Sequence, residues 1–214
     1  HDPPDMEFYS GNGFWYHDRA YMIVCNYAAS PLTRNTHAPF LDTEWWVSYD
    51  GLQWERPGRG VHATTGSAFT RPTHIPLLIG DQLLLNQGNR LLGIKRDRIS
   101  FVSARANAEF STRPFVMPAA DLVLNAAVPA PERLYADKNS ALWGETSAYV
   151  MVDILDEQGQ IIPGFEATKC VIQKADGIEL PLHWDAKSAR ELAGRQISLR
   201  FYLRSANIYA VTTK

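Results

Sequence analysis

Asp5 and Glu7 alternate along an extended run, which places both carboxyl groups on one side of the chain. Two carboxyl groups flanking a bond are the equipment of glycosidic hydrolysis: one donates a proton, the other serves as base or nucleophile. The alternative for this pair is a solvated N-terminal segment. Glu44 alternates with Trp46 at the start of a strand and either lines a cleft or merely ends the preceding loop. Arg71 offers a planar fork for carboxylate or hydroxyl groups. His74, three residues on, can hydrogen-bond a sugar hydroxyl or serve a structural role. His37 sits with Arg34, Asn35 and Asp42 in a long loop over residues 28–43, and long loops on rigid scaffolds carry function as often as they merely connect. Trp15, Trp45 and Trp46 present flat rings able to stack on a sugar face. Aromatics at alternating strand positions also build cores, and adjacent Trp45 and Trp46 must point to opposite faces. The catalytic candidates are therefore Asp5 and Glu7. The substrate-binding candidates are Trp15, His37, Glu44, Arg71 and His74.

Composition narrows what these residues can serve. The chain has 214 residues, 45% of them hydrophobic and 21% charged, with a formal net charge of -2. This is an ordinary globular balance. The densest basic stretch is Lys95-Arg96-Asp97-Arg98, so no surface for nucleic acid is expected. No apolar run reaches the roughly 20 residues that span a bilayer, so no membrane insertion is expected. There is no nucleophile elbow, phosphate loop, dinucleotide glycine fingerprint or zinc-protease motif, and no cofactor is expected. Asp153, Asp156 and Glu157 surround a turn, but no metal constellation has convincing spacing. Cys25 and Cys170 are far apart and read as two buried thiols, with one disulfide as the alternative.

The elements that must position these residues are strands. Turn signals recur about every eight to twelve residues, the rhythm of an all-β fold. A first unit of four strands is expected near Tyr9–Tyr16, Tyr21–Tyr27, Glu44–Tyr49 and Leu52–Arg56, the last two joined by Asp50-Gly51. Asp-Gly is favoured in type I′ turns, whose central residues both take positive φ. A second is expected near Arg71–Ile79, Gln82–Asn86, Leu91–Lys95 and Ile99–Ala104, with Gly80-Asp81 as its first turn. Two such meanders suggest two propeller blades. Further strands are expected at Ala148–Leu155, Gln160–Ile162, Val171–Lys174, Leu180–Trp184, Gln196–Leu203 and Ile208–Thr212. Together they suggest a β-sandwich. One helical piece, Ser188–Ala193, stops at Gly194. The expected fold class is thus all-β: a partial β-propeller of two four-stranded blades over residues 1–118, then a β-sandwich over 119–214.

The stretch WVSYDGLQWERP resembles a hairpin of bacterial five-bladed-propeller glycoside hydrolases and their relatives, related to glycoside hydrolase families 32 and 43. LLGIKRDRISFVSA and STRPFVMPAADLVLNA look like the closing blade of those proteins and the start of their C-terminal domain. VMVDILDEQGQIIPGF and ELAGRQISLRFYLRSANIYAV look like that β-sandwich domain itself. The resemblance implies a carbohydrate-active protein outside the cytoplasm, secreted or periplasmic, whose earlier blades supply the principal catalytic acids. Hydrolysis of glycosidic bonds and non-catalytic carbohydrate binding or scaffolding are both open. An open propeller exposes strand edges, so the expected partner is the N-terminal part of the propeller or a second copy of the chain. In a blade, the turn at Asp50-Gly51 lies on the face opposite the funnel mouth. Ser48, Asp50, Gly51 and Trp54 are therefore expected to be scaffolding.

Overall fold

The structure, a computed structural model, describes residues 6–28, 41–57, 76–87, 90–130 and 148–214. It is all-β, built of antiparallel sheets, and divides into two compact units, 1–95 and 96–214.

Within the first unit, β1 (Met6–Tyr16), β2 (Arg19–Ala28) and β3 (Leu41–Ser48) form one sheet in that order. A bulge at Tyr9 shifts the β1 register between Phe8 and Ser10. Past β3 the expected fourth strand is reduced to one bridge, Val47 with Glu55, whose main chains exchange hydrogen bonds of 2.8 and 3.0 Å. A second sheet holds β4 (Leu77–Ile79), β5 (Gln82–Gln87) and β6 (Arg90–Lys95). Ile79 pairs with Gln82, so Gly80-Asp81 is a two-residue turn; Gly80 takes φ +60°, a conformation that a Cβ would strain.

Asp50-Gly51 behaves differently. A two-residue turn there would pair Val47 with Trp54, yet Val47 pairs with Glu55. The type I′ turn does not form, because side chains take the local donors instead. Asp50 Oδ1 accepts the N–H groups of Leu52 and Gln53, both at 2.8 Å, and the Ser48 hydroxyl at 3.0 Å. Ser48 Oγ in turn accepts the N–H of Gly51 at 2.9 Å. Gly51 takes φ +74° and Asp50 does not take a positive φ. These bonds to the charged form hold the Asp50 carboxyl below its ordinary range, with the Gln53 and Leu52 amides contributing most.

The second unit adds β7 (Val102–Ala104), β8 (Ala108–Ser111), β9 (Phe115–Val116), β10 (Leu122–Val128), β11 (Tyr149–Leu155), β12 (Val171–Ile172), β13 (Ala175–Pro181), β14 (His183–Trp184), β15 (Lys187–Ser188), β16 (Gln196–Arg204) and β17 (Ala206–Thr213). One sheet has the order β13-β10-β17-β7. The other has β12-β11-β16-β8, with β9 also on β16. The strand expected over Ile99–Ala104 is β7, and it pairs with β17 in this unit. The compact boundary falls after Lys95, which puts β7 in the second unit.

The two sheets share one apolar core. Val150, Val152 and Ile154 of β11 and Ile197, Leu199, Phe201 and Leu203 of β16 enter it at alternate positions, meeting Leu122, Leu124, Ala126 and Val128 of β10. Trp184 is fully buried, and its Nε1 donates to the Val152 carbonyl at 2.7 Å. At the expected helix the chain makes a 3₁₀ turn, Ala189–Leu192. It begins with a capping box between Ser188 and Glu191, and four residues are too few for a sustained helix.

Two arginines fasten chain to the outer faces of these sheets. Asp153 is 2% exposed. Its Oδ2 accepts both Nε and an Nη of Arg200, at 3.0 and 2.7 Å, and the Tyr202 hydroxyl at 2.9 Å. Its Oδ1 accepts the Ala167 N–H, which helps hold the 161–170 segment along the edge of β11. Asp153 is thereby committed, and among the described residues no group of three or more His, Cys, Asp or Glu is placed to hold a metal. On the other sheet, Arg98 Nε donates to the buried Asn125 Oδ1 at 2.8 Å, and Asn125 Nδ2 donates to the Arg96 carbonyl at 2.7 Å. Arg98 also meets Asp176 at 2.6 Å and lies 4.4 Å from the Tyr209 ring centre.

Two outcomes follow from this packing. Asp153→Ala strands the Arg200 guanidinium and the Tyr202 hydroxyl, and should lower stability by about 3 kcal/mol, read from the urea midpoint. Cys170 is a buried free thiol whose pKa burial pushes up to about 12. In a Cys25→Ser background it should stay unreactive towards an aromatic disulfide at pH 8 and react at once when urea unfolds the protein.

Candidate functional site

The β1-β2-β3 sheet carries the candidate residues that fall among the described ones. Its register sorts them by face. Gly11, Val24 and Glu44 lie side by side across the three strands, as do Gly13, Met22 and Trp46, and Trp15, Ala20 and Ser48. These rows form one face, to which Phe8 also belongs. Phe14, Tyr16, Tyr21 and Trp45 form a cluster on the other face, with ring centres 6.0–6.4 Å apart.

Glu44 sits on the first face and is only 3% exposed. A carboxylate so buried needs a partner, and Arg56 supplies it: Nε and an Nη reach the same Glu44 oxygen at 2.8 and 2.6 Å. The guanidinium also lies over Trp46 and Phe8, 5.2 and 5.6 Å from their ring centres. Those two rings meet edge to face at 5.0 Å. The Val47–Glu55 bridge is what brings Arg56 here. One residue less in the turn would have turned Trp54 and Arg56 to the opposite face, because strand side chains alternate. Instead Trp54 lies across Gly13, where a Cβ would stand 4.0 Å from its ring, and Gly51 comes under Trp15.

Trp15 is different in kind. It is 62% exposed, at the end of the face beside the Ser48–Asp50 turn. Tyr49, next to that turn, is equally open, with the Arg19 guanidinium 4.7 Å from its ring centre. An exposed indole on a hydrogen-bonded ladder is a rigid flat platform able to stack on an apolar ring face.

The remaining candidates separate. Glu7 belongs to β1 and pairs with Tyr27, so position 7 falls on the opposite face of the sheet from position 44. Asp5, His37, Arg71 and His74 lie outside the described residues. Sequence reasoning missed Arg56 as the partner of Glu44. The signal was present in WERP: a cation two residues after Trp54, within one strand width of Glu44 if the turn were one residue longer than an Asp-Gly hairpin. Through these bonds Glu44 anchors the segment that carries Arg56. No protein family profile matches the chain, and no curated protein or solved structure shows significant similarity to it.

Arg56→Ala should leave Glu44 buried without its guanidinium and destabilise this sheet by about 3 kcal/mol. Glu44→Gln with Arg56→Met, which removes both charges together, should recover most of that loss in the urea midpoint.

Proposed function

We propose that this chain is the carbohydrate-binding, non-catalytic portion of an extracytoplasmic glycoside hydrolase-like protein. Its N-terminal unit derives from propeller blades and its C-terminal unit is a β-sandwich. Trp15, packed beside the Asp50-Gly51 turn and so away from the funnel mouth, is a surface platform on which a pyranose ring stacks. The observation that carries the reading is the contrast on one sheet face. Trp15 is open to solvent on a rigid ladder, while Glu44 is consumed by Arg56. The antiparallel β1-β2-β3 order with its Glu55 bridge supports descent from a four-stranded blade, and the single core shared by two sheets supports the sandwich.

A glycan array probed with the purified chain should give binding to a defined subset of polysaccharides, with no release from reporter glycosides. Trp15→Ala should weaken the strongest of these interactions about tenfold, as expected for one lost stacking contact, and leave the urea midpoint unchanged. Hydrolysis that disappears on changing Asp5 or Glu7 would replace this reading with a catalytic one. Absence of both binding and hydrolysis would leave a scaffold only.

A further inference from the structure

The second unit has an open side. Asp121 and Lys214 exchange both main-chain hydrogen bonds, at 2.9 and 3.1 Å. Hydrogen-bonded pairs alternate along an antiparallel ladder, so Thr212 and Ala210 also turn their main chain towards β10. Those of Val211 and Thr213 turn the other way. The Leu182 N–H donating to the Leu122 carbonyl fits this alternation, since Leu122 faces β13. On the far side of β17, the partner strand β7 reaches only to Val102 opposite Ile208. From Tyr209 to Thr213, no strand covers that edge among the described residues.

Beside this edge lies a cavity of about 570 Å³. Val211 and Thr213 border it on one sheet, Thr112 and Phe115 on the other, and Leu122 and Leu199 line it from the core. Its lining is chiefly apolar. Two exposed arginines adjoin residues at its rim, and the one carboxylate next to the lining, Asp121, is already paired with Arg190. Arg113, next along the chain from Thr112, is exposed, as is Arg195, whose carbonyl accepts the Met117 N–H next to the lining Pro118. Neither has an ion-pair partner among the described residues.

We propose that the free half of β17 is a docking edge for an extended peptide that adds as a further strand. Its main chain would pair with Val211 and Thr213, one bulky apolar side chain would fill the cavity, and flanking acidic residues would face Arg113 and Arg195. This combination of main-chain pairing for affinity with a side-chain pocket for selectivity is how strand addition works. The two cations select the sign of the partner's flanks.

The probe is a fluorescein-labelled panel of acetylated, amidated heptapeptides. Each alternates threonine with valine, leucine or phenylalanine and carries glutamate at both ends. Titrated with the intact chain, at least one member should bind with saturable anisotropy. Exchanging its glutamates for lysines should weaken binding several-fold at low salt, and the gap should narrow as salt is added. Val211→Pro removes an N–H that faces away from β10. It should weaken binding about tenfold, consistent with losing one or two main-chain bonds, while the urea midpoint holds. Methylating alternate amides of the same peptide tests the pairing on the unaltered protein and should abolish binding, which keeps the test decisive if Val211→Pro folds poorly. Full binding by the methylated peptide, or no binding by any panel member at millimolar concentration, overturns the proposal. So does a dimer in sedimentation that Val211→Pro dissolves, which would make the occupant a second copy of the chain.

Discussion

A polar side chain removed from water must find its partners, and in this chain such buried groups, each with an arginine among its partners, are where loose segments are fastened to a sheet. Asp153 is the clearest case. It holds Arg200 and Tyr202 of the neighbouring strand on one oxygen and the Ala167 amide on the other. That last bond helps seat the 161–170 segment along the edge of β11, where the Val152 and Ile154 N–H groups donate to the Cys170 and Phe165 carbonyls. Phe165, within the segment, then packs 5.5 Å from the ring of Trp184. Glu44 with Arg56 does the same for the segment after β3, and Asn125 with Arg98 for the segment before β7. In each case the polar contact fixes where a stretch without regular pairing must lie, and apolar packing then fills in around it. Net stabilisation from such pairs is modest, but the cost of leaving either partner alone is large. They therefore specify position more than they add stability.

The two faces of the β1-β2-β3 sheet divide labour along the same lines. On one face the Phe14, Tyr21 and Trp45 rings pack on one another. The Glu44 face is built of glycine, methionine and tryptophan rows under a folded-back arginine. It leaves two large aromatics exposed: Phe8, held beneath Arg56 and against Trp46, and Trp15, which is the more open. An exposed Trp on a stiff ladder loses little freedom on meeting a ligand, which favours a binding role over a packing one.

Strand identity was largely legible from alternation and turn residues. β2, β5, β6, β11, β16 and β17 fall where the apolar alternation puts them, and Gly80-Asp81 makes the two-residue turn that its composition calls for. Pairing was less legible, because it is decided between segments far apart. Val102–Ala104 reads as a fourth blade strand by proximity, yet its partner is Ala206–Ile208. Asp50-Gly51 misled for a local reason: Ser48 and Asp50 side chains captured the turn amides and lengthened the loop. That single residue of register also decided the site, since it alone turned Arg56 towards Glu44. β8 and most of β13, with their mixed polar sequences, carried no strong periodic signal. Of the seven candidate residues, the structure describes the surroundings of Trp15 and Glu44; position 7 is fixed by register alone.

The pairing of β7 with β17 and of β8 with β16 has a consequence in time. Each joins residues about a hundred positions apart, and the sheets change hands beside each other, where the Ser205 hydroxyl meets the Arg105 carbonyl. During synthesis the β7–β8 segment leaves the ribosome long before its partners exist. Phe101, Val102 and Phe110 must wait in an unpaired state while the chain between them and β16 is made. The second unit can close only when β16 and β17, one in each sheet, have emerged, so its assembly is a single late event. In that interval, a chaperone that shields short apolar strands would find its target in the segment from Phe101 to Phe110.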